Sequence, residues 1–453
     1  MTTREEATLS AATGLPRPRI TKWVLCFPIV FFVTYLTFTV LFFALGPFDY
    51  PVSNPVSLYL FLGLAHLALI AGYWRVIFRR PQGYSGTWKA QQLVFWSDTV
   101  TLLLLLPTSK IRTGAFFPDI VYGIRNPGEA YALANSLAEA SSLPLIEYVR
   151  IVLGPLLGFL LPLTIFYWER LDKQARVLGI AGLLGNVALF LAMGTNKAIA
   201  DTVLLLPWMV FAGYRAGKIA LGSRRIVILS LCAALALVSF LAFFGTGMLE
   251  RAGSPIASGF FPATGSTADR DNFLVRHLGE TPTAVVMGLD IYLTSGYYAL
   301  SLSMREPFVP MFGIGNSTFL YRQAARVTGD ENIVKNPYPV RIEKYGWDSE
   351  GLWATIYPWI ASDVSFPGTI LVIYCIGRFF ALSWIDTLAA KNPFAIVMFS
   401  QFLIMLFYFP ANNQLLQSGE GFTAFWVTLI LWWRTRCQRG PVSTQVLGAT
   451  TSA

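Results

Sequence analysis

The residues best suited to chemistry lie in one polar run, "TADRDNFLVRHLGE", at 267–280. It contains His277, one of only two histidines in the chain, directly after Arg276. An imidazole can accept a proton near neutral pH, and an adjacent guanidinium favours its neutral form, which suits a general base. A solvated surface histidine is the plainer alternative. The pattern therefore makes His277 a candidate catalytic base, with Arg276 beside it.

Cations are numerous throughout the segment that surrounds this run, 247–364. They are Arg251, Arg270, Arg276, Arg305, Arg322, Arg326, Lys335, Arg341 and Lys344. The planar fork of arginine gives two parallel charge-assisted bonds to a phosphate, so several arginines together suit a pyrophosphate. A solvated loop that mixes charges is the alternative for most of them.

A further cation, Lys197, lies in "GTNKAIAD" at 194–201, four residues before Asp201. Beside a helix N-terminus, Lys197 could face an anion at the outer membrane surface. The alternative is an ion pair at the start of a helix, with a lysine that extends its charge to the interface.

Acids and aromatic residues are interleaved in 340–368. The acids are Glu343, Asp348, Glu350 and Asp363, and the aromatic residues include Tyr345, Trp347, Trp353, Tyr357 and Trp359. Flat rings could stack on sugars while acids bind hydroxyls; a membrane belt is the alternative, favoured for Trp359. "FGIGNS", 312–317, predicts a flexible turn before a helix capped by Ser317. No cluster has metal-site spacing, so we expect no metal and no cofactor.

Composition identifies the elements that must position these residues. The chain is 55% hydrophobic and 13% charged, and its apolar residues form long blocks that predict membrane-spanning helices. We predict an all-α multi-pass membrane protein with about ten transmembrane helices. They fall near 23–45, 56–76, 91–108, 151–168, 176–194, 198–215, 226–246, 365–385, 394–411 and 420–435, and Asp98 makes the third the weakest.

Charge sets the predicted orientation. Lysines and arginines collect in the segments that are cytoplasmic if the N-terminus is inside, whereas the short outer segments 46–55, 195–197 and 412–419 contain only Lys197. Part of the net charge of +9 therefore reflects topology, and we expect no nucleic-acid partner. Both termini are predicted inside. The cytoplasmic tails would be 1–22 and 436–453, with seven spans in 23–246 and three in 365–435.

Two longer segments then face outside, near 109–150 and at 247–364, between spans seven and eight. A loop as long as the second is usually functional. Its apolar stretch 283–304 contains Asp290 and Gly296. We expect this stretch either to lie in the interface or to form a broken, additional span.

Four passages together resemble a known family: "GTNKAIADTVLLLPW", "SGYYALSLSMREPFVPMFGIGNS", "WATIYPWIASDVSFPG" and "NNQLLQSGEGF". They are similar to the oligosaccharide repeat-unit polymerases of bacterial envelopes, the Wzy-type O-antigen and exopolysaccharide polymerases. The resemblance extends to the topology, with ten or more spans and a large outer loop in the second half. It implies an architecture like that of O-antigen ligases and GT-C glycosyltransferases.

The resemblance also implies a specific reaction. Such polymerases act at the periplasmic face of the bacterial inner membrane on undecaprenyl-pyrophosphate-linked oligosaccharides, with a chain-length regulator and a flippase as partners. The family's outer-loop arginines correspond best to Arg270, Arg276 and Arg305, and its base to His277. The resulting hypothesis is a metal-independent, inverting polymerase in which Arg270, Arg305 and Lys197 bind the pyrophosphate, with Arg251 and Arg341 as further candidates.

Three other functions stay open at this point. An O-antigen ligase, or another glycosyltransferase that uses lipid-linked sugars, would share the chemistry and differ in the acceptor. A transporter or flippase of lipid-linked oligosaccharides would explain the spans and internal charges but the long outer loop less well, and the two halves show no inverted repeat. A receptor or structural subunit would leave the arginines as solvated loop residues.

Overall fold

The computed structural model describes residues 20–140, 144–195, 197–252, 260–261, 264–349 and 351–437, most of which are helical. The helices are α1 (Lys22–Leu45), α2 (Pro55–Trp74), α3 (Ala90–Thr113), α4 (Ile120–Arg125), α5 (Pro127–Ala140), α6 (Pro144–Phe166), α7 (Lys173–Ala192), α8 (Lys197–Arg215), α9 (Ser223–Ala252), α10 (Glu280–Ser303), α11 (Thr318–Thr328), α12 (Asn332–Lys335), α13 (Tyr338–Arg341), α14 (Ile356–Ala389), α15 (Pro393–Tyr408) and α16 (Gly419–Thr435). Short 3-10 helices cover Trp168–Arg170 and Ile342–Tyr345, and the strands are β1 (Gly83–Tyr84), β2 (Phe260–Phe261), β3 (Ser266–Thr267) and β4 (Arg436–Cys437).

Each of the ten predicted spans overlaps a helix: six lie wholly within one, and 56–76, 151–168, 176–194 and 394–411 extend two or three residues past the helix end. In the part of the chain that the structure describes, seven helices are long and apolar enough to cross a membrane: α1, α2, α6, α7, α8, α9 and α14. The remaining predicted spans correspond to α3, a continuous helix that contains Asp98, to the 16-residue α15, and to α16. The prediction of an all-α membrane protein is confirmed.

The bundle is held together by close contacts between helix backbones. A Cβ atom at Gly72 of α2 would collide with the Tyr374 carbonyl, and one at Gly377 of α14 would collide with the Leu69 carbonyl. Small residues permit such contacts in membranes, where lipid competes with side chains for apolar surface. Helix α15 lies at the centre of the bundle, because nearly all of its side chains are buried.

The large loop covers one end of the bundle. The backbone N–H of Asp269 donates to the Pro47 carbonyl at 2.7 Å, and Asn54 donates to the Ser301 carbonyl at 3.0 Å. The Phe319 N–H likewise donates to the Gln417 carbonyl at 3.1 Å. The described part of the large loop therefore lies at the same end of the bundle as 46–55 and 412–419.

Two segments predicted to be cytoplasmic meet at the other end. Strands β1 and β4 pair antiparallel there, with Gly83 opposite Cys437. The N–H of Gln82 donates to Asp386, near the end of α14. This grouping also agrees with the predicted sides.

The apolar stretch 283–304 is part of α10, a continuous helix that packs against the last two turns of α1. The Tyr297 hydroxyl lies 2.8 Å from that of Thr39, and Asp290 accepts the N–H of Phe48 at 3.2 Å. Gly296 allows the close approach to the loop after α15, since a Cβ there would collide with the Pro410 carbonyl. No break occurs at Gly296, so the broken span is not observed.

The kink in this region lies in α14 instead. Ser365 has a φ of 64° inside a helix that begins at Ile356, and Pro367 follows it. Because proline disfavours a helical conformation in the residues before it, the chain bends at this point. The predicted span began at 365; the structure shows that the helix starts nine residues earlier, inside the predicted loop, and that the kink divides it.

Candidate functional site

A buried carboxylate forms the centre of a cation-rich cluster just beyond α10. Glu306 follows the last turn of that helix and is only 8% exposed. Its carboxylate lies 2.8 Å from the Lys344 ammonium and accepts the Tyr345 hydroxyl at 2.7 Å. It also pairs with the Arg341 guanidinium at 3.2 Å. The N–H groups and hydroxyl that surround Glu306 satisfy its charge.

Aromatic rings extend this cluster and hold a third cation. The Arg305 guanidinium carbon lies 4.4 Å from the centre of the Tyr345 ring, and the Lys344 nitrogen lies 5.1 Å from the same ring. Arg341 lies 4.9 Å from the Tyr338 ring centre. Cations at these distances are attracted by the negative face of the ring.

The electrostatics of the cluster leave positive charge in excess. Burial acts to raise the pKa of the Glu306 carboxyl, but its bonds to Lys344 and Tyr345 outweigh burial and hold the pKa below its ordinary value. Glu306 is therefore ionised at neutral pH and neutralises one charge, while Arg305, Arg341 and Lys344 supply three. Arg305 is exposed, so its guanidinium can reach a ligand from solvent.

Local backbone geometry explains how these residues meet. The N–H of Glu306 donates to the Ser303 carbonyl, which turns the chain as α10 ends. Across from it, helix α13 runs directly into the 3-10 helix Ile342–Tyr345, so Arg341 and Lys344 are three residues apart on one short helical surface. Arg341 also donates to the Pro307 carbonyl at 2.6 Å, which joins the two segments.

The aromatic side chains behind the cluster are mainly core residues. Trp347 is 2% exposed and lies 6.4 Å from the Tyr298 ring, and Trp359 is packed with Met311 and Tyr321. Trp359 is therefore buried in protein, so the expectation of a membrane belt at this residue is wrong. Trp353 is 39% exposed and is the ring of this group that could stack on a sugar.

The predicted catalytic pair lies elsewhere. His277 and Arg276 are both exposed, in a turn just before α10. Helix α10 has 24 residues and separates this turn from Arg305, a length of about 36 Å. The structure therefore does not bring His277 together with Arg305.

The remaining predicted ligands are also dispersed. Arg270 is exposed in the turn that Asn272 anchors to the end of α1, through a bond to the Leu45 carbonyl at 3.0 Å. Lys197 pairs with Asp201 at 2.6 Å, which is the ion pair at a helix start that the sequence offered as an alternative. Arg251 belongs to α9, but its side chain lies outside the described residues. Among the predicted ligands whose side chains the structure describes, Arg305 and Arg341 meet in the cluster around Glu306.

The "FGIGNS" turn encloses a second carboxylate. Asp363 accepts the N–H groups of Gly313, Gly315 and Asn316 at 2.8 to 3.0 Å, and the Asn316 amide at 2.7 Å. Ser317 caps α11, as predicted, and its hydroxyl also donates to the Leu416 carbonyl. The turn is fixed by these bonds, so the expectation of a flexible turn is wrong, and its role is to join three of the four passages quoted above.

Glu306 was not predicted from the sequence. A single acid between Arg305 and Pro307 carries no spacing signal, and its partners lie 35 or more residues away. The one sequence feature that could have indicated Glu306 is its position in "REP", 305–307, at the end of an apolar helix. A charge there must be either hydrated or paired.

The chain matches no protein-family model, and neither a curated protein nor a solved structure is significantly similar to it.

Proposed function

We propose that the protein is a membrane glycosyltransferase that polymerises undecaprenyl-pyrophosphate-linked oligosaccharides at the periplasmic face of the bacterial inner membrane. The observation that carries the proposal is the cluster of Arg305, Arg341 and Lys344 around Glu306. Two cations paired with one buried carboxylate, and a third stacked on the neighbouring Tyr345 ring, suit a pyrophosphate attached to a sugar.

The position of the cluster supports a substrate anchored in lipid. It follows Ser303, and the Ser301 carbonyl accepts a bond from Asn54, which directly precedes α2. Because α2 is apolar and long enough to span the membrane, the cluster lies near one end of the bundle. A donor could keep its polyprenyl tail in the bilayer while its pyrophosphate reaches Arg305.

The chemistry assigned to the cluster is stabilisation of the leaving group. A hydroxyl of the acceptor sugar attacks the anomeric carbon, and the bond from that carbon to the pyrophosphate oxygen breaks. The proton of the hydroxyl passes either to water at the cluster or, in the sequence hypothesis, to the His277 imidazole. Negative charge then grows on the departing lipid pyrophosphate, and cations already in place stabilise it. Arginines can fill this role without a metal, and attack from the opposite face inverts the anomeric centre.

The role of His277 is separable from that of the cluster. The sequence hypothesis makes it the base, whereas the length of α10 puts it far from Arg305. We therefore assign the pyrophosphate to Arg305 and Arg341, and we test His277 in its own right.

The decisive experiment uses purified protein in liposomes with synthetic undecaprenyl-pyrophosphate oligosaccharide, and measures polymer formation by gel. Arg305→Ala is expected to slow polymer formation roughly 10- to 100-fold, because a charge-assisted bond contributes about 1.5 to 3 kcal/mol. Arg326→Ala is the matched control, since Arg326 is exposed on α11, away from the cluster. Unchanged polymer length and rate with Arg305→Ala would refute the assignment.

A parallel measurement on His277→Ala separates the two hypotheses for the base. The geometry predicts polymer formation within a few-fold of the parent protein. Complete loss at a normal protein level would restore His277 as the base and place the reacting centre at the other end of α10.

The same assay distinguishes the alternatives. A ligase would transfer the oligosaccharide to a different acceptor and form no polymer from the donor alone. A flippase would move the lipid-linked donor across the liposome membrane without forming a product.

A further inference from the structure

A second buried carboxyl, Asp98, lies within the helical bundle and has no partner. It is fully buried on α3, and among the described residues no group donates a hydrogen bond to either carboxylate oxygen. A carboxylate that is neither hydrated nor paired costs several kcal/mol, so such a group keeps its proton.

Two hydroxyls share this surrounding. Thr164 of α6 and Thr101 of α3 are buried, and their oxygens also find no partner in the described part of the chain. A Cβ atom built at Gly179 of α7 would lie 3.6 Å from an Asp98 oxygen and 3.5 Å from the Thr164 hydroxyl. The Thr164 methyl lies only 2.7 Å from the same position, so Gly179 lets α7 pack closely where the Asp98 carboxyl and Thr164 meet.

A small cavity lies next to Thr101, although Asp98 and Thr164 do not line it themselves. It has a volume of about 60 Å³, and its polar lining is Thr101, Asn186, Arg150 and Glu420. Thr101 lies one turn along α3 from Asp98, on the same face of the helix. A polar cavity of this size admits a short chain of water molecules.

The far end of the cavity reaches solvent. Arg150 and Glu420 form an ion pair at 2.6 Å, with side chains 15% and 34% exposed. Arg150 also donates to Thr108, ten residues along α3 from Asp98, a rise of about 15 Å. The polar groups thus extend from the buried carboxyl to a partly hydrated ion pair.

The charged groups on the helices packed against Asp98 are engaged elsewhere. On α3, Lys110 donates to the Gly114 carbonyl, and Arg112 pairs with Glu147 of α6. Arg150 of α6 pairs with Glu420, and Glu129 of α5 accepts the Tyr122 hydroxyl. On α7, Arg176 donates to the Trp168 carbonyl and Lys173 is exposed, and Asp172, just before α7, accepts from Gln91. No cation in the described helices offsets a charge on Asp98.

We propose that Asp98, Thr101 and Thr164 form a proton-binding site inside the membrane, which exchanges its proton with solvent at Arg150 and Glu420 through the cavity. The ligand is a proton, held by the carboxyl and passed along hydroxyls and water. The inference is independent of the glycosyltransferase proposal, since the two sites share no residue.

Infrared difference spectroscopy on the full-length protein tests the site. The spectrum of the parent protein minus that of Asp98→Asn at pH 7 should contain the carbonyl band of a protonated carboxylic acid. The band should shift within minutes of transfer to D₂O. Asp386→Asn is the control, because Asp386 pairs with Arg436 at 2.6 Å and should contribute no acid band.

Two outcomes would overturn the proposal. Absence of the acid band would mean that Asp98 is ionised in the membrane, and a band that ignores D₂O would mean that the site is sealed. If Asp98→Asn does not fold, protein with ¹³C-labelled aspartate is compared with labelled Asp98→Glu, which keeps an acid but removes the labelled carbonyl. A labelled acid band in the parent that persists in Asp98→Glu would assign the signal elsewhere and refute the site.

A final variant tests the route. Asn186→Leu replaces a polar lining residue with an apolar one of similar size, so it should slow the D₂O shift of the Asp98 band at least tenfold. An unchanged rate would exclude this cavity as the path.

Discussion

Two buried carboxyls in this protein differ in their surroundings: one is surrounded by cations and hydrogen-bond donors, and the other is without any partner among the described residues. Glu306, at the end of α10, has a side chain only 4% exposed and is bonded by Arg341, Lys344 and Tyr345. Asp98, on α3, is equally buried and has no partner among the described residues. One carboxyl keeps its charge by gathering cations, and the other is neutral because it has none.

The difference follows from where each residue lies. Arginine and lysine can reach Glu306 because their apolar stems cover protein surface while their charges stay near water, as the 57% exposed Lys344 does. Inside the bundle no such position exists, and a cation there would be as costly as the anion. A charged cluster therefore suits an anionic substrate at the surface, and a neutral carboxyl suits proton exchange within.

The largest expected effect comes from a third buried carboxyl that belongs to the paired class. Asp386 bonds both Arg436 and the Trp432 indole, and Arg436 is only 9% exposed. Asp386→Asn should lower stability by about 3 kcal/mol, because it leaves a buried guanidinium unpaired. Thermal unfolding in detergent, followed by tryptophan fluorescence, measures the loss.

The control for this measurement is Asp49→Asn. Asp49 is exposed, so its replacement should change stability by no more than about 0.5 kcal/mol. Equal unfolding temperatures for the two variants would show that the ion pair between Asp386 and Arg436 does not stabilise the protein.

Glu306→Gln should have the next largest effect. The amide keeps the shape but no longer neutralises Arg341, and we expect a loss of about 2 kcal/mol, reduced because Lys344 is hydrated. Glu343→Gln is the matched control, an exposed acid on the same 3-10 helix. If both variants unfold together, Glu306 is not the organising charge of the cluster.

Asp98→Asn should not lower stability at neutral pH, in contrast to the other two replacements. No ion pair is lost, and the amide removes the free-energy cost of holding on the folded Asp98 a proton that the unfolded chain releases at this pH. Thermal unfolding beside Asp386→Asn checks this ordering. A loss as large as that of Asp386→Asn would show that Asp98 is charged and paired, and the comparison would fail.

The sequence predicted the elements better than the site. Long apolar blocks identified the helices because burial in lipid requires about 20 apolar residues whatever the tertiary contacts. Arg305 and Arg341 were predicted ligands and do meet. Their partner Glu306 was missed, because the contact joins segments that composition alone does not pair.

The sequence places His277 and Arg305 in one predicted site because both lie in the same loop. They are 28 positions apart, and the continuous helix α10 between them keeps them far apart in the structure. In the sequence, Asp98 counts only as a residue that weakens the third predicted span. An ionisable residue within a membrane span is, however, generally expected to be functional. Its freedom from partners is visible only when the neighbouring helices are in place.

The smallest expected effect is on the pH dependence of stability, which should differ between Glu306 and Asp98. The pKa of Glu306 lies below its ordinary value of 4.5, since its bonds to Lys344 and Tyr345 outweigh the effect of burial. A group with a lowered pKa stabilises the fold fully above its unfolded pKa and loses that contribution as the pH falls through the folded one. The parent protein should therefore lose stability relative to Glu306→Gln roughly between pH 5 and pH 3.

The same titration on Asp98→Asn should give a change of the opposite sign. If Asp98 is protonated in the folded state at neutral pH, the unfolded chain takes up that proton only at about pH 4, so the parent should gain stability relative to Asp98→Asn as the pH falls from 7 toward about 4 and change no further below it. Unfolding temperatures measured in steps across this range decide the matter. A parent that loses stability relative to Asp98→Asn on acidification, as it should relative to Glu306→Gln, would mean that both carboxyls are ionised, and the contrast between surface cluster and buried acid would not hold.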